Sequence, residues 1–241
     1  MIVFMYPGQG SQQPGRGEAW VDHPSWELVT EASEVTDRDV ARLLLTADAE
    51  ELTETRNSQL STFMMSMVTL DAVTRLGTEA AGHAGDSLGE YSALTASGVL
   101  DFGDAAALVA ERGNAMQAAA DEREGTMAAI LGLDDDDVQI ACSRAPGEVW
   151  LANHNAPGQA VIAGTPEAIE VAASVARELG AKRVMPLQVG GAFHTPFMAP
   201  ARDRLPQGPH RTGFPGPQGA GGGNAGRASP TPGRGWAAPP P

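Results

Sequence analysis

From residue 126 to residue 189 the chain switches between helical and strand periods in a fixed order, and few architectures accept that order. "TMAAILGL" has the apolar run of a strand, and "DDDDVQIACSRA" opens with acidic residues that suit the first turn of a helix. "EVWLANHN" and "QAVIAGT" read as two more strands, joined around Pro157 and Gly158. "TPEAIEVAASVARELG" is a strong helix, with Thr165 placed to cap it, Pro166 in its first turn and Gly180 at its end. "AKRVMPLQV" closes the series as a strand. Strand–helix–strand–strand–helix–strand predicts a ferredoxin-like subdomain over residues 126–189. The aspartates at 134–137 read as a solvent-facing helix start rather than a calcium site, because adjacent carboxylates do not all point inward.

Upstream, "MIVFMYPGQG" is a short apolar strand running into a glycine-rich turn. In "NSQLSTFMMSMVTLDAVTRLG", residues Phe63, Met64, Met67, Val68 and Leu70 recur at helical spacing, and Gly77 is a stop. The methionines are read as core filling. Two further helices follow, "GEYSALTASG" and "DFGDAAALVAERGNAMQAAADE". Residues 1–125 with 190–205 are therefore expected to form a large domain around the inserted subdomain, an α/β fold overall.

Beyond it the composition breaks. Residues 206–241 hold 10 glycines and 9 prolines, three arginines and no acid, so all 30 acidic residues lie before them. This segment lacks any hydrophobic period and is expected to be disordered. The formal charge of −14 argues against binding nucleic acid or an anionic membrane. One cysteine, Cys142, excludes an internal disulfide or a cysteine metal cluster and suits a reducing cytoplasm. No basic segment precedes the first apolar run as in a secretory signal, and no apolar stretch is long enough for a membrane span.

Chemistry concentrates at Gly85-Asp86-Ser87-Leu88-Gly89, which fits a nucleophile elbow. A serine on a strained strand-to-helix turn needs small neighbours two residues away, and the following helix offers free backbone N–H groups to an oxyanion. A plain glycine-rich turn with a helix-capping serine fits the same residues. The spelling GDSL also occurs in another hydrolase class, but there it stands near the N-terminus with a late Asp-x-x-His pair, which is missing near His194 and His210. His194, in the loop "VGGAFHTPFM", is the candidate base. Arg112 precedes Gly113 in a helix, which points to close packing, and its guanidinium fork suits a substrate carboxylate. "PGQG" at 7–10 is placed to bring a backbone N–H toward the serine. No metal site is expected.

Taken in order, "YPGQGSQ", "GDSLGEYSAL", "ERGNAMQ", "NHNAPGQAVIAG" and "GAFHTPFM" closely resemble the malonyl-CoA:acyl-carrier-protein transacylases and the acyltransferase domains of polyketide synthases. The resemblance runs from Met1 to about Arg204 and implies an α/β-hydrolase-like large domain with the ferredoxin-like subdomain. It implies that Ser87, activated by His194, takes malonyl from malonyl-CoA and passes it to the phosphopantetheine thiol of an acyl carrier protein. Gln9 and Leu88 then supply the oxyanion-hole N–H groups, and Arg112 pairs with the malonyl carboxylate. Gln59, Asp86, Asn155 and Phe193 join the pocket, "GAFH" being similar to the malonyl-selecting version of the specificity motif. No permanently bound cofactor is implied, and the family acts as monomers in the cytoplasm. The chain departs from the pattern at Asp86, where the family carries histidine, and at Leu60, where a proline usually follows the glutamine. It departs again after Arg204, where the family continues through further helices and strands; the composition there matches a shifted reading frame of a GC-rich gene. A serine hydrolase on the same scaffold and an impaired carrier-protein-binding relative are the rival readings.

Overall fold

The structure, a computed structural model, describes residues 1–205 and the backbone of residues 220–222. What was expected of the rest of 206–241 lies outside the described residues. The chain divides into two compact units, Met1–Asn114 with the segment after Leu205, and Ala115–Leu205.

In the first unit, β1 (Val3–Tyr6) and β2 (Gly82–Gly85) pair in parallel, with Val3 opposite Gly82 and Tyr6 opposite Gly85. Parallel neighbours need a long crossover. Four helices supply it: α1 (Glu27–Thr36), α2 (Val40–Leu45), α3 (Ala49–Thr53) and α4 (Thr55–Arg75). Residues 18–53 show little long-range periodicity, yet each short helix has a local reason to start. Asp39 caps α2 through the Arg42 N–H at 2.8 Å, and Asp48 caps α3 through the Glu51 N–H at 2.8 Å. Along α4 the expected residues Phe63, Met64, Met67 and Val68 are buried, and Leu70 packs at the edge of the same core. They meet Val29 of α1, Leu43 and Leu44 of α2, and Val109 of the long helix α6 (Phe102–Glu122). Between β2 and α6 lies α5 (Gly89–Ala96), which opens immediately after the serine turn.

The second unit contains a ferredoxin-like arrangement of strands and helices. Its strands are β3 (Thr126–Leu131), β4 (Val149–Ala156), β5 (Gln159–Gly164) and β6 (Arg183–Pro186), all antiparallel, in the order β4-β5-β3-β6. Helices α7 (Asp135–Arg144) and α8 (Pro166–Glu178) start as the residues dictate. Asp134 accepts from the Asp137 N–H at 2.9 Å, so the aspartate run is a capped helix N-terminus. Thr165 caps α8, Pro166 occupies its first position, and Gly180 leaves it with φ 103°.

Alternation along the central strands sorts side chains onto two faces. Ala128, Ile130, Ala160 and Ile162 pack with Val138, Ala141, Ala168 and Ala172 of α7 and α8. Met127, Ala129, Val161 and Ala163 point the other way, onto Met116 and Ala119 of the last turns of α6 and onto Phe193 and Phe197. With both faces covered, neither strand reads as alternating polar and apolar.

The second unit ends with α9 (Ala199–Arg204), and a further strand, β7 (Ala220–Gly222), lies parallel beside β2 in the first unit's sheet. Sequence gives no strand signal at these three residues. Backbone pairing along an open strand edge requires none from side chains. The fold class is α/β, an α/β-hydrolase-like large domain with a ferredoxin-like subdomain.

Candidate active site

Ser87 sits where β2 turns into α5, with φ 50°. Left-handed backbone at a non-glycine residue costs roughly 1–2 kcal/mol and persists only where the surroundings enforce it. Here the flanking glycines make the turn possible. A Cβ on Gly85 would lie 1.9 Å from the Gly89 carbonyl oxygen, and one on Gly89 would lie 2.2 Å from that of Tyr6. The turn is then tied by the Gly89 N–H to Asp86 O at 2.7 Å and the Glu90 N–H to Ser87 O at 3.2 Å. Leu88, 1% exposed, stands one residue before α5, where its N–H has no acceptor a turn earlier. The β1–loop segment packs against this elbow, since a Cβ on Gly8 would approach Asp86 O to 2.9 Å. Gln9 follows Gly8 in that loop and is partly buried.

Arg112 comes to the same place from α6. Gly113 allows it: a Cβ there would be 2.9 Å from the Arg56 Cα at the start of α4, so the two helices touch backbone to backbone. The Arg112 Nη2 donates to Ser87 Oγ at 3.2 Å and Nη1 donates to Gln59 Oε1 at 2.6 Å. Its Cζ lies 5.7 Å from the centroid of the Tyr91 ring. Burial pulls the guanidinium below its ordinary range, while Tyr91 and Glu90 act in the opposite direction. Among the described residues, no ion pair within 4 Å involves Arg112. A half-buried cation held by neutral acceptors beside a hydroxyl can take a carboxylate on its remaining N–H donors.

Three residues widely separated in sequence, Gln59, Ser87 and Arg112, are thus joined by direct hydrogen bonds. Gln59 is 1% exposed on α4, and Leu60 in place of proline continues the helix and joins the core. Asp86 is exposed, and it is not among the charges that act on Arg112. Sequence reading assigned no role to Glu90 and Tyr91. Their signal was their position three and four residues after Ser87, on the face of α5 that the elbow presents.

His194, Phe193 and Asn155 belong to the other unit. His194 is exposed with φ 59°, a second left-handed non-glycine residue. Its loop is staked by Thr195, whose Oγ1 donates to Ala192 O at 2.6 Å and accepts from the Phe197 N–H at 3.2 Å. Phe193 is 5% exposed within the apolar cluster against α6. Asn155 is exposed near the end of β4. Among the described residues no group of three or more His, Cys, Asp or Glu is arranged to hold a metal ion, and no helix is long and apolar enough to cross a membrane.

Residues 3–210 match the acyl transferase domain family. The chain is 43% identical over 209 residues to the malonyl CoA-acyl carrier protein transacylase of Bacillus subtilis, covering 85% of this chain and 66% of that one. The Escherichia coli K12 transacylase is also 43% identical over 209 residues, with 68% of its length covered. The chain therefore spans about two thirds of these relatives. Among solved structures, an acyl-carrier-protein S-malonyltransferase from Burkholderia pseudomallei superposes with TM-score 0.87 at 39% identity, covering 95% of this chain and 76% of that one. A malonyl-transacylase in complex with a type II polyketide acyl carrier protein superposes with TM-score 0.83 at 35% identity, covering 91% of this chain and 73% of that one.

Proposed function

Since this chain belongs to the acyl transferase domain family, we propose that it moves a malonyl group from malonyl-CoA to the phosphopantetheine thiol of an acyl carrier protein. The observation that carries this reading is the half-buried Arg112 guanidinium bonded to Ser87 Oγ at 3.2 Å. It places a fixed positive charge within one acyl length of the nucleophile.

In the first half-reaction Ser87 Oγ attacks the thioester carbonyl while the imidazole of His194 takes the hydroxyl proton. The N–H groups of Gln9 and Leu88 stabilise the oxyanion. The C–S bond then breaks, and the coenzyme A sulfur leaves with the proton held by His194. In the second, His194 takes the proton of the pantetheine thiol, whose sulfur attacks the Ser87 ester. The C–O bond breaks and Oγ recovers the proton. Throughout, Arg112 holds the malonyl carboxylate, and Gln59 holds Arg112. Phe193 and Asn155 would contribute to the acyl pocket, and Asp86 would tune it from the elbow. Monomeric action in the cytoplasm without a resident cofactor completes the reading.

Supplying malonyl-CoA with and without carrier protein tests the reaction class. Transfer predicts malonyl-carrier formation and little free malonate when the acceptor is omitted. Malonate release at the same rate in both cases identifies a hydrolase instead.

A further inference from the structure

Resting on the malonyl-transfer reading, we infer that Tyr91 is the positioning residue that aims the Arg112 guanidinium, and that it thereby sets the preference for malonyl over uncharged acyl groups. Two in-plane N–H groups of Arg112 are directed by Gln59 and Ser87. Two bonds at the edge leave the plane free to tilt. The Tyr91 ring, 5.7 Å from Cζ, supplies the third point of contact, from α5. An aromatic face attracts a cation without consuming an N–H donor, so the remaining donors stay available for a carboxylate. A carboxylate at the same position would pair with Arg112 and neutralise the charge the substrate needs. Burial keeps the Tyr91 phenol above its ordinary range, so it stays uncharged while it does this.

The demand on Tyr91 is greatest after the first half-reaction. Acylation turns Ser87 Oγ from a hydroxyl into an ester oxygen, a poorer acceptor, which weakens one of the two directing hydrogen bonds. Gln59 and the Tyr91 face then hold the guanidinium against the malonyl carboxylate. Acetyl lacks that carboxylate, so its loading does not depend on the guanidinium's aim.

The test compares initial rates of Ser87 acylation from malonyl-CoA and from acetyl-CoA, read by intact-protein mass, for the full chain and Tyr91 variants. Tyr91→Leu should slow malonyl loading by about 2- to 30-fold, the range of a cation–π contact from exposed to desolvated. Acetyl loading should stay unchanged, and Tyr91→Phe should keep the native ratio. Should Tyr91→Leu fold poorly, phenylalanine analogues bearing successively more ring fluorines at position 91 preserve shape while draining the ring face of charge. Their malonyl-to-acetyl ratio should fall stepwise. Equal slowing of both substrates, or a ratio indifferent to fluorination, overturns the inference. A native chain that loads no malonyl overturns the functional reading beneath it, which is a separate result.

Discussion

Replacing Arg112 by methionine should separate the charge at the site from its packing. The native guanidinium is half-buried, and its partial loss of water works against its charge. Against that stand two charge-assisted hydrogen bonds, to Gln59 at 2.6 Å and to Ser87 at 3.2 Å, worth about 1.5–3 kcal/mol each. Methionine removes both sides of this balance and has a flexible side chain that fills the same channel. It leaves Gln59 Oε1, on a residue 1% exposed, short of one donor, at a cost of about 1–3 kcal/mol. These terms nearly cancel, so folding stability should change by no more than about 2 kcal/mol in either direction. Loading should not be spared. Truncating one partner of a buried charge pair costs about 2–5 kcal/mol, equivalent to roughly 30- to 4,000-fold in malonyl acylation of Ser87. Acetyl-CoA offers no carboxylate to lose. Denaturant unfolding gives the stability, and intact-protein mass against time gives the two loading rates. A parallel fall for malonyl and acetyl would refute the assignment of Arg112 to the substrate carboxylate, as would unchanged malonyl loading.

Three further outcomes follow from the geometry. Gly85→Ala places a methyl 1.9 Å from the Gly89 carbonyl oxygen, so the elbow has to open; we expect loss of Ser87 acylation and destabilisation of about 3 kcal/mol or more by denaturant titration. His83 sits beside Tyr6, with the hydroxyl oxygen hydrogen-bonded to Nδ1 at 2.9 Å, and burial lowers the imidazole below its ordinary 6.5. Below that pH the unfolded chain takes up a proton that the folded chain resists, so stability should fall as pH drops through about 6.5. Thermal melts of His83→Asn should show a shallower acid dependence over the same interval. Burial raises the Cys142 thiol to about 11, so a thiol reagent at pH 8 should label the folded chain slowly and the denaturant-unfolded chain quickly.

Much of this arrangement was legible in the sequence because it rests on local chemistry. The subdomain announced itself through capped helices at Asp134 and Thr165 and through the order of periods between them. The elbow was legible because only glycine satisfies the close approaches at positions 85 and 89. Gly113 gave away the helix crossing beside Arg112. Other features needed the folded chain. Helices α2 and α3 are too short to build a period and are set by single caps and by burial against α4. That Gln59 faces Arg112, 53 residues later, is a tertiary fact with no spacing rule behind it. The left-handed backbone at His194 is set by its loop, because histidine tolerates that conformation but does not by itself require it. Asp86 reads in sequence as a charge beside Ser87, whereas in the structure it is exposed, and Glu90 and Tyr91 are the titratable groups that act on Arg112 beside its bonds to Gln59 and Ser87.

The central claim is that Ser87 accepts a malonyl group held by Arg112. Its most direct measurement is the mass of the intact chain, and of the peptide carrying residue 87, after exposure to malonyl-CoA. One malonyl group should be added at Ser87, absent from Ser87→Ala and discharged by a carrier-protein thiol. A chain that stays unmodified, or an adduct that persists in Ser87→Ala, would contradict it.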